Sequence, residues 1–242
     1  MDAKASVRAQ VLAARDALSA SVRAEKSARI CRELERLLDG RAIGGASTGS
    51  AAGAADATAA KSPNAAAAGR PVVTAFSRMG SEVDVAPFVR AAFARGARVA
   101  YPCMVKNPAW SGAAHGAASA LEPAPFTPRL LMQFREVSRE QFEAGAVPFI
   151  AKPLRSFAPD DPELDPFPLV APEQVDFAVC PLVAFDAAGN RLGYGGGNYD
   201  GFLARVRPDA LVVGVGFAEQ EVRAGAIPLE PHDLPLPRIV SA

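Results

Sequence analysis

Cysteine is scarce in this chain: Cys31, Cys103 and Cys180 lie far apart, and no CxxC pair occurs. Neither a zinc ribbon nor a disulfide framework is therefore expected. Histidine is scarcer, with only His115 and His232. His115 has no serine or acid at a spacing that a catalytic triad would use. Charge of one sign in excess is also missing, because 26 Lys and Arg face 26 Asp and Glu. No net field draws the chain to nucleic acid or to a membrane surface, so any basic function must be local. No apolar run reaches bilayer-spanning length, and the first residues lack the apolar centre of a signal peptide. A cytoplasmic location is the expectation. What is present is a 50% hydrophobic composition over 242 residues, ample for the core of one α/β domain.

Residues 3–19 and 22–38 read as two helices, split at Ser19-Ala20-Ser21, with Ser21 as N-cap. Val7, Val11, Ala14 and Leu18 form an apolar stripe on the first. Lys4, Arg8 and Arg15 form a second stripe, about 70° from the apolar one at the helical turn angle. Cations bordering the core rather than opposing it can reach into a cleft; they can also be ordinary snorkelling side chains. Residues 40–70 are rich in Ala and Gly and lack large aliphatics after Ile43, which leaves nothing to bury. They are expected to be a flexible insert in a single domain. Strands follow at 71–76 and 97–101, with a loop through Ser77 and Glu82 and a helix up to Gly96 between them. Residues 105–128 read as a loose loop, 153–172 as a proline-rich connection, and 228–237 as an irregular tail.

The most informative stretch runs from Val179 to Arg207. A β-rich apolar run, a turn at Asp186-Ala187-Ala188-Gly189-Asn190 and the glycine loop Gly193-Tyr194-Gly195-Gly196-Gly197 lead to a helix opened by Asn198-Tyr199-Asp200. Strand, glycine loop and helix start present backbone N–H groups to anions. The spacing matches neither GxGxxG nor the Walker motif, so a glycine-rich packing site remains an alternative. Arg191 and Asp200 flank the loop, one a phosphate partner and the other a candidate Mg²⁺ ligand.

The block PLVAFDxxGxRLGYGGGxYD resembles the signature of the 5-formyltetrahydrofolate cyclo-ligase (5,10-methenyltetrahydrofolate synthetase) family. Three further signals follow that family's order: Lys4-Ala5-Ser6-Val7-Arg8 as its KxxxR, Glu82 as its folate-contacting acid, and Asp233 in its C-terminal HD-[IL]-P pattern. The resemblance implies a three-layer α/β/α fold with a mainly parallel, Rossmann-like sheet and the site at the strand C-terminal ends. It implies ATP- and Mg²⁺-dependent cyclisation of 5-formyltetrahydrofolate to 5,10-methenyltetrahydrofolate, with ADP and phosphate released.

Carried over residue by residue, Lys4, Arg8 and Arg191 would neutralise phosphates. ATP would contact residues 4–8 (Lys4, Ala5, Ser6, Val7, Arg8), Arg191, Leu192, Gly193, Tyr194, Gly195, Gly196, Gly197, Asn198 and Tyr199. Folate would contact Arg8, Ser77, Glu82 and Tyr194 with Gly195, Gly196, Gly197 and Asn198. Asp200 and Asp233 would hold Mg²⁺. The expected partners are these small molecules alone, with no nucleic acid or membrane, and the chain is expected to act as a monomer. Two positions depart from the pattern: Asn198 replaces an aromatic, and Gly201 an arginine. Lys152 also stands where the family has an acid, and no role is carried onto it. A binding-only relative, sensing folate or nucleotide without turnover, is the alternative from another class.

Overall fold

The computed structural model describes residues 3–44, 69–110, 128–230 and 233–242. Most of the expected insert (45–68), residues 111–127 with His115, and His232 lie outside the described residues. Two helices open the chain, α1 (Ala3–Asp16) and α2 (Ala20–Gly44). The cap between them is Ser19 rather than Ser21, because the Ser19 hydroxyl accepts the Val22 N–H three residues on. Residues 40–44, expected in the insert, continue α2.

The strands are β1 (Val72–Thr74), β2 (Arg98–Lys106), β3 (Leu130–Val137), β4 (Ser156–Phe157), β5 (Leu169–Val170), β6 (Phe177–Pro181), β7 (Ala184–Phe185), β8 (Arg191–Leu192), β9 (Leu211–Gly216) and β10 (Ile239–Ser241). Between them lie α3 (Ala86–Ala94), α4 (Arg139–Glu143), α5 (Pro148–Ala151) and α6 (Asn198–Leu203). The main sheet runs β10-β9-β6-β1-β2-β3-β5, with β4 also on β2. Pairs from β10 through β2 are parallel, while β3 joins β2 and β5 antiparallel. The mixed, mainly parallel α/β sheet expected from the sequence is what forms.

Side-chain alternation divides the core between the two faces of this sheet. Val73, Val99, Phe177, Val179 and Val213 face Ile30, Leu34 and Leu38 of α2 and Phe88 and Val89 of α3. Val72, Ala100, Ala178 and Cys180 face Phe134 and the α6 residue Phe202. A third, smaller cluster joins Val7 and Val11 of α1 to Ala184, Leu192 and Ile227. That contact seats α1 on the β7–β8 hairpin, directly before the glycine loop.

The proline-rich connection expected at 153–172 contains β4 and β5, and three further features differ from the sequence expectation. β2 passes through Pro102 because that residue's missing N–H faces the β1 side, and β1 has already ended at Thr74. The run from Val175 to Phe185 is two strands, broken after Pro181. The third is β10, a three-residue edge strand beyond the proline-rich tail, which pairs Val240 with Val215. Its run is too short to be read from periodicity.

Candidate active site

Because β1, β6 and β9 are parallel, their C-terminal ends open onto one edge. That edge receives the loop after β1, the glycine loop after β8 and the C-terminal tail. α1 lies across it and spreads its cation stripe along these segments. Lys4 Nζ meets Asp233 Oδ2 at 2.9 Å and Glu230 Oε1 at 3.1 Å. One turn on, Arg8 Nε donates to the Gly193 carbonyl at 2.8 Å. Arg15 Nε donates to Ser81 Oγ at 2.8 Å, and its Nη2 lies 3.3 Å from the Tyr194 hydroxyl. The stripe therefore ties α1 to the tail, the glycine loop and the β1 loop in turn, and is not a solvated flank. Asp233 raises the pKa of Lys4, with a hydrogen bond as the main cause.

The glycine loop has the shape its composition permits. Gly195 (φ 98°) and Gly197 (φ 63°) lie in the left-handed region, and Gly197 precedes the first turn of α6. A Cβ at Gly195 would stand 3.2 Å from Arg8 Nη2, so the guanidinium rests against the backbone there. Asn198 Nδ2 similarly lies against Gly196.

Beneath the loop, Arg191 is almost wholly buried and pairs with Asp200 Oδ1 at 2.5 Å. The Leu234 N–H donates to the same Asp200 oxygen at 3.4 Å, which brings the Asp200 and Asp233 segments together. The Asp233 carboxylate also accepts the Glu230 N–H at 2.8 Å. The tail is anchored by the Leu236 N–H on the Gly189 carbonyl at 2.8 Å.

Glu82 sits on the far side of the loop, only 4% exposed. Its Oε2 accepts the Met79 N–H at 2.8 Å and its Oε1 the Tyr194 hydroxyl at 3.0 Å. Burial raises its pKa; the two hydrogen bonds and the nearby Arg15 charge oppose that shift. Glu82 and Arg15 line a closed cleft with Phe76, Val83, Pro181, Leu182, Val215 and Gln220. As it stands the cleft has no room even for a water molecule, so any ligand that reaches Glu82 must first displace one of its walls.

Four buried polar atoms at this edge have no hydrogen-bond partner among the described residues: Arg15 Nη1, Ser77 Oγ, Arg191 Nε and Tyr199 OH. Each such group costs on the order of 1–3 kcal/mol, and clustering of this kind marks a place where a ligand can supply the partners.

Of the residues singled out in the sequence, Lys4, Arg8, Gly193, Tyr194, Gly195, Glu82, Arg191, Asp200 and Asp233 meet at this edge. Five others sit differently from a direct-contact expectation. Ala5 and Ser6 are exposed on α1, whereas Val7 packs on the hairpin cluster. Tyr199 points its ring at Phe134 and Phe202 in the core. Leu192 is likewise a core residue. Arg15 and Gln220 were not among the candidates. Arg15 carried a signal, its place on the stripe with Lys4 and Arg8. Gln220 carried none: it is buried, donates to the Leu182 and Val183 carbonyls at 2.9 Å and accepts the Phe217 N–H at 2.8 Å.

The described residues include no group of three or more His, Cys, Asp or Glu able to hold a metal. A Mg²⁺ ion bound with a nucleotide would need only one or two carboxylates, its shell being completed by phosphate oxygens and water. Asp200 and Asp233 provide two such hard donors. Among the described residues, no helix is long and apolar enough to cross a membrane.

Fold and site together define an α/β protein with a basic, glycine-lined edge facing a buried carboxylate. Comparison with known proteins narrows this. The model of the 5-formyltetrahydrofolate cyclo-ligase family matches residues 1–242, and the chain belongs to that family. Among curated relatives, the mitochondrial 5-formyltetrahydrofolate cyclo-ligase of Arabidopsis thaliana is 37% identical over 81 residues, 30% of this chain and 29% of that protein. The Escherichia coli (strain K12) 5-formyltetrahydrofolate cyclo-ligase is 36% identical over 86 residues, 34% of this chain and 44% of the relative. These matches span less than half the length of either relative. In fold, the chain is similar to a 5,10-methenyltetrahydrofolate synthetase from Mycoplasma pneumoniae, with TM-score 0.56 and 19% identity over 99% of this chain and 98% of that one. The Aquifex aeolicus 5,10-methenyltetrahydrofolate synthetase gives TM-score 0.56 at 21% identity, over 98% of this chain and 89% of that one.

Proposed function

We propose that this chain converts 5-formyltetrahydrofolate to 5,10-methenyltetrahydrofolate at the expense of ATP, with Mg²⁺. The observation that carries the reading is that Arg8 is held against the glycine loop, with Lys4 one turn away on the C-terminal tail, while Tyr194 of the same loop bonds Glu82. A phosphate-binding surface and a buried carboxylate for a heterocycle thus share one loop.

The formyl oxygen is a poor leaving group. It attacks the γ-phosphorus of ATP, the bond to the β-phosphate oxygen breaks, and ADP departs. N10 then attacks the activated carbon, the carbon–oxygen bond breaks, and phosphate leaves with the oxygen and the N10 proton. No side-chain nucleophile takes part, so the residues bind, orient and neutralise. Lys4 and Arg8 meet the phosphates, and the backbone of residues 193–197 cradles them. Arg191 supplies a fixed positive charge from below, balanced by Asp200. Glu82 holds the pterin, with Ser77 and Tyr194 beside it. Mg²⁺, held by Asp200 and Asp233, would neutralise charge on the transferred phosphate.

Purified protein given 5-formyltetrahydrofolate and Mg-ATP should form the methenyl product, read by its absorbance. Binding of both substrates with no product would instead favour the binding-only alternative.

A further inference from the structure

The cleft beside Glu82 is lined by eight residues, and only three carry polar side-chain atoms. Gln220 is spent, since its amide already serves three backbone groups. What remains to address a ligand is Glu82, an acceptor, and Arg15, a donor. Arg15 is 4% exposed, and two of its nitrogens are engaged, Nε by Ser81 and Nη2 by Tyr194. Its third nitrogen, Nη1, is buried with no partner among the described residues. Phe76, Val83, Pro181, Leu182 and Val215 provide apolar walls. The cleft is closed in this structure, but its polar pair is complementary to a flat heterocycle with two donors next to one acceptor on a single edge. A carboxylate takes the donors and a guanidinium nitrogen the acceptor.

We propose that Arg15 is a specificity-determining residue that donates through Nη1 to the ring carbonyl of the substrate. This inference rests on the cyclo-ligase reading and deepens it. On the reduced pterin of 5-formyltetrahydrofolate, the 2-amino group and N3–H are the donors for Glu82, and the 4-oxo group is the acceptor for Arg15. Together the pair selects a lactam edge. A ring enters when Tyr194, half exposed on its glycine loop, swings out and releases its bonds to Glu82 and Arg15. Those released positions join Nη1 in serving the ligand.

The test is a binding cycle of two proteins against two ligands. Wild type and Arg15→Lys are each titrated calorimetrically with 5-formyltetrahydrofolate and with its 4-amino-4-deoxy analogue, which lacks the acceptor and also the N3–H facing Glu82, a loss common to both proteins that cancels in the comparison between them. Wild type should prefer the 4-oxo ligand, and Arg15→Lys should shrink that preference by about tenfold or more, the effect of one charge-assisted hydrogen bond. The KM for ATP should change far less than the ligand preference, because Arg15 reaches the glycine loop only through the Tyr194 hydroxyl and not through its backbone. Equal weakening of both ligands would show a structural role and overturn the proposal, as would an unchanged preference. Wild type with no preference overturns it without any variant, which covers the case of a poorly folding Arg15→Lys. Methenyl formation by wild type is followed separately. A protein that discriminates the ligands through Arg15 but forms no product contradicts the cyclisation reading, not the role of Arg15.

Discussion

Lys4 in the first helix and Asp233 in the C-terminal tail meet at 2.9 Å, 229 positions apart in the chain. This contact closes the edge of the sheet on one side, and Arg191 with Asp200 does so underneath. Both acids expected to hold Mg²⁺ therefore already face a cation, and their substitutions should separate by the partner left to that cation.

Asp200→Asn leaves the Arg191 guanidinium buried with its charge uncompensated. Breaking such a pair costs about 3 kcal/mol, moderated here because Asp200 keeps 18% of its side chain exposed. Asp233→Asn should cost less, about 1 kcal/mol, since Lys4 retains Glu230 at 3.1 Å. Both variants should need more Mg²⁺ for half-maximal turnover. Thermal melts and magnesium titrations of the same samples check this. Additive stability losses with an unchanged magnesium requirement would reduce both acids to structural roles.

Glu82→Gln gives a pH-dependent effect whose sign is fixed by burial. The folded-state pKa of Glu82 is raised above its ordinary 4.5, so the folded protein holds the proton more tightly than the unfolded chain. Ionising it costs stability progressively as pH rises from the unfolded value through the folded one. Glutamine removes that cost. The melting temperature of Glu82→Gln relative to wild type should therefore rise across this window, while folate affinity falls by about tenfold or more from loss of a charged acceptor. A relative melting temperature that drops with pH would contradict the assignment.

Gly195→Ala should harm the phosphate surface more than the fold. The residue sits at φ 98°, and its new methyl would press on the Arg8 guanidinium at 3.2 Å. A strained backbone of this kind costs on the order of 1–3 kcal/mol. Displacing Arg8 from Gly193 should raise the KM for ATP several-fold, with folate binding little changed. Steady-state kinetics in each substrate separate the two.

Much of this edge was legible in the sequence, and the reason is local geometry. Helical periodicity alone places Lys4, Arg8 and Arg15 on one stripe, and strand-loop-helix order alone places the glycine loop after a buried strand. What periodicity cannot provide is the partner across the chain. That Arg191 pairs with Asp200, that Arg15 reaches Ser81 and Tyr194, and that Gln220 ties the turn after β6 all depend on contacts between segments 9 to 179 positions apart. Tyr199 shows the converse. Its place in the motif suggested a ligand contact, but the α6 turn directs its ring into the core beside Phe134.

Asn198→Tyr tests the departure from the family pattern. An aromatic there adds stacking area worth about 0.5–1.5 kcal/mol beyond burial, or roughly two- to twelvefold in affinity. Folate should bind that much more tightly, and the ATP requirement should be unaffected. A collapse of activity would instead show that Asn198, whose amide rests against Gly196, makes a polar contact the site needs.

The central claim is that one edge couples ATP cleavage to ring closure. The most direct measurement follows ADP release and methenyl absorbance together in one cuvette, with and without 5-formyltetrahydrofolate. The account predicts one ADP per methenyl product, with no turnover when ATP, folate or Mg²⁺ is left out. ATP hydrolysis at an equal rate without folate, or ADP release with no methenyl signal, would contradict it.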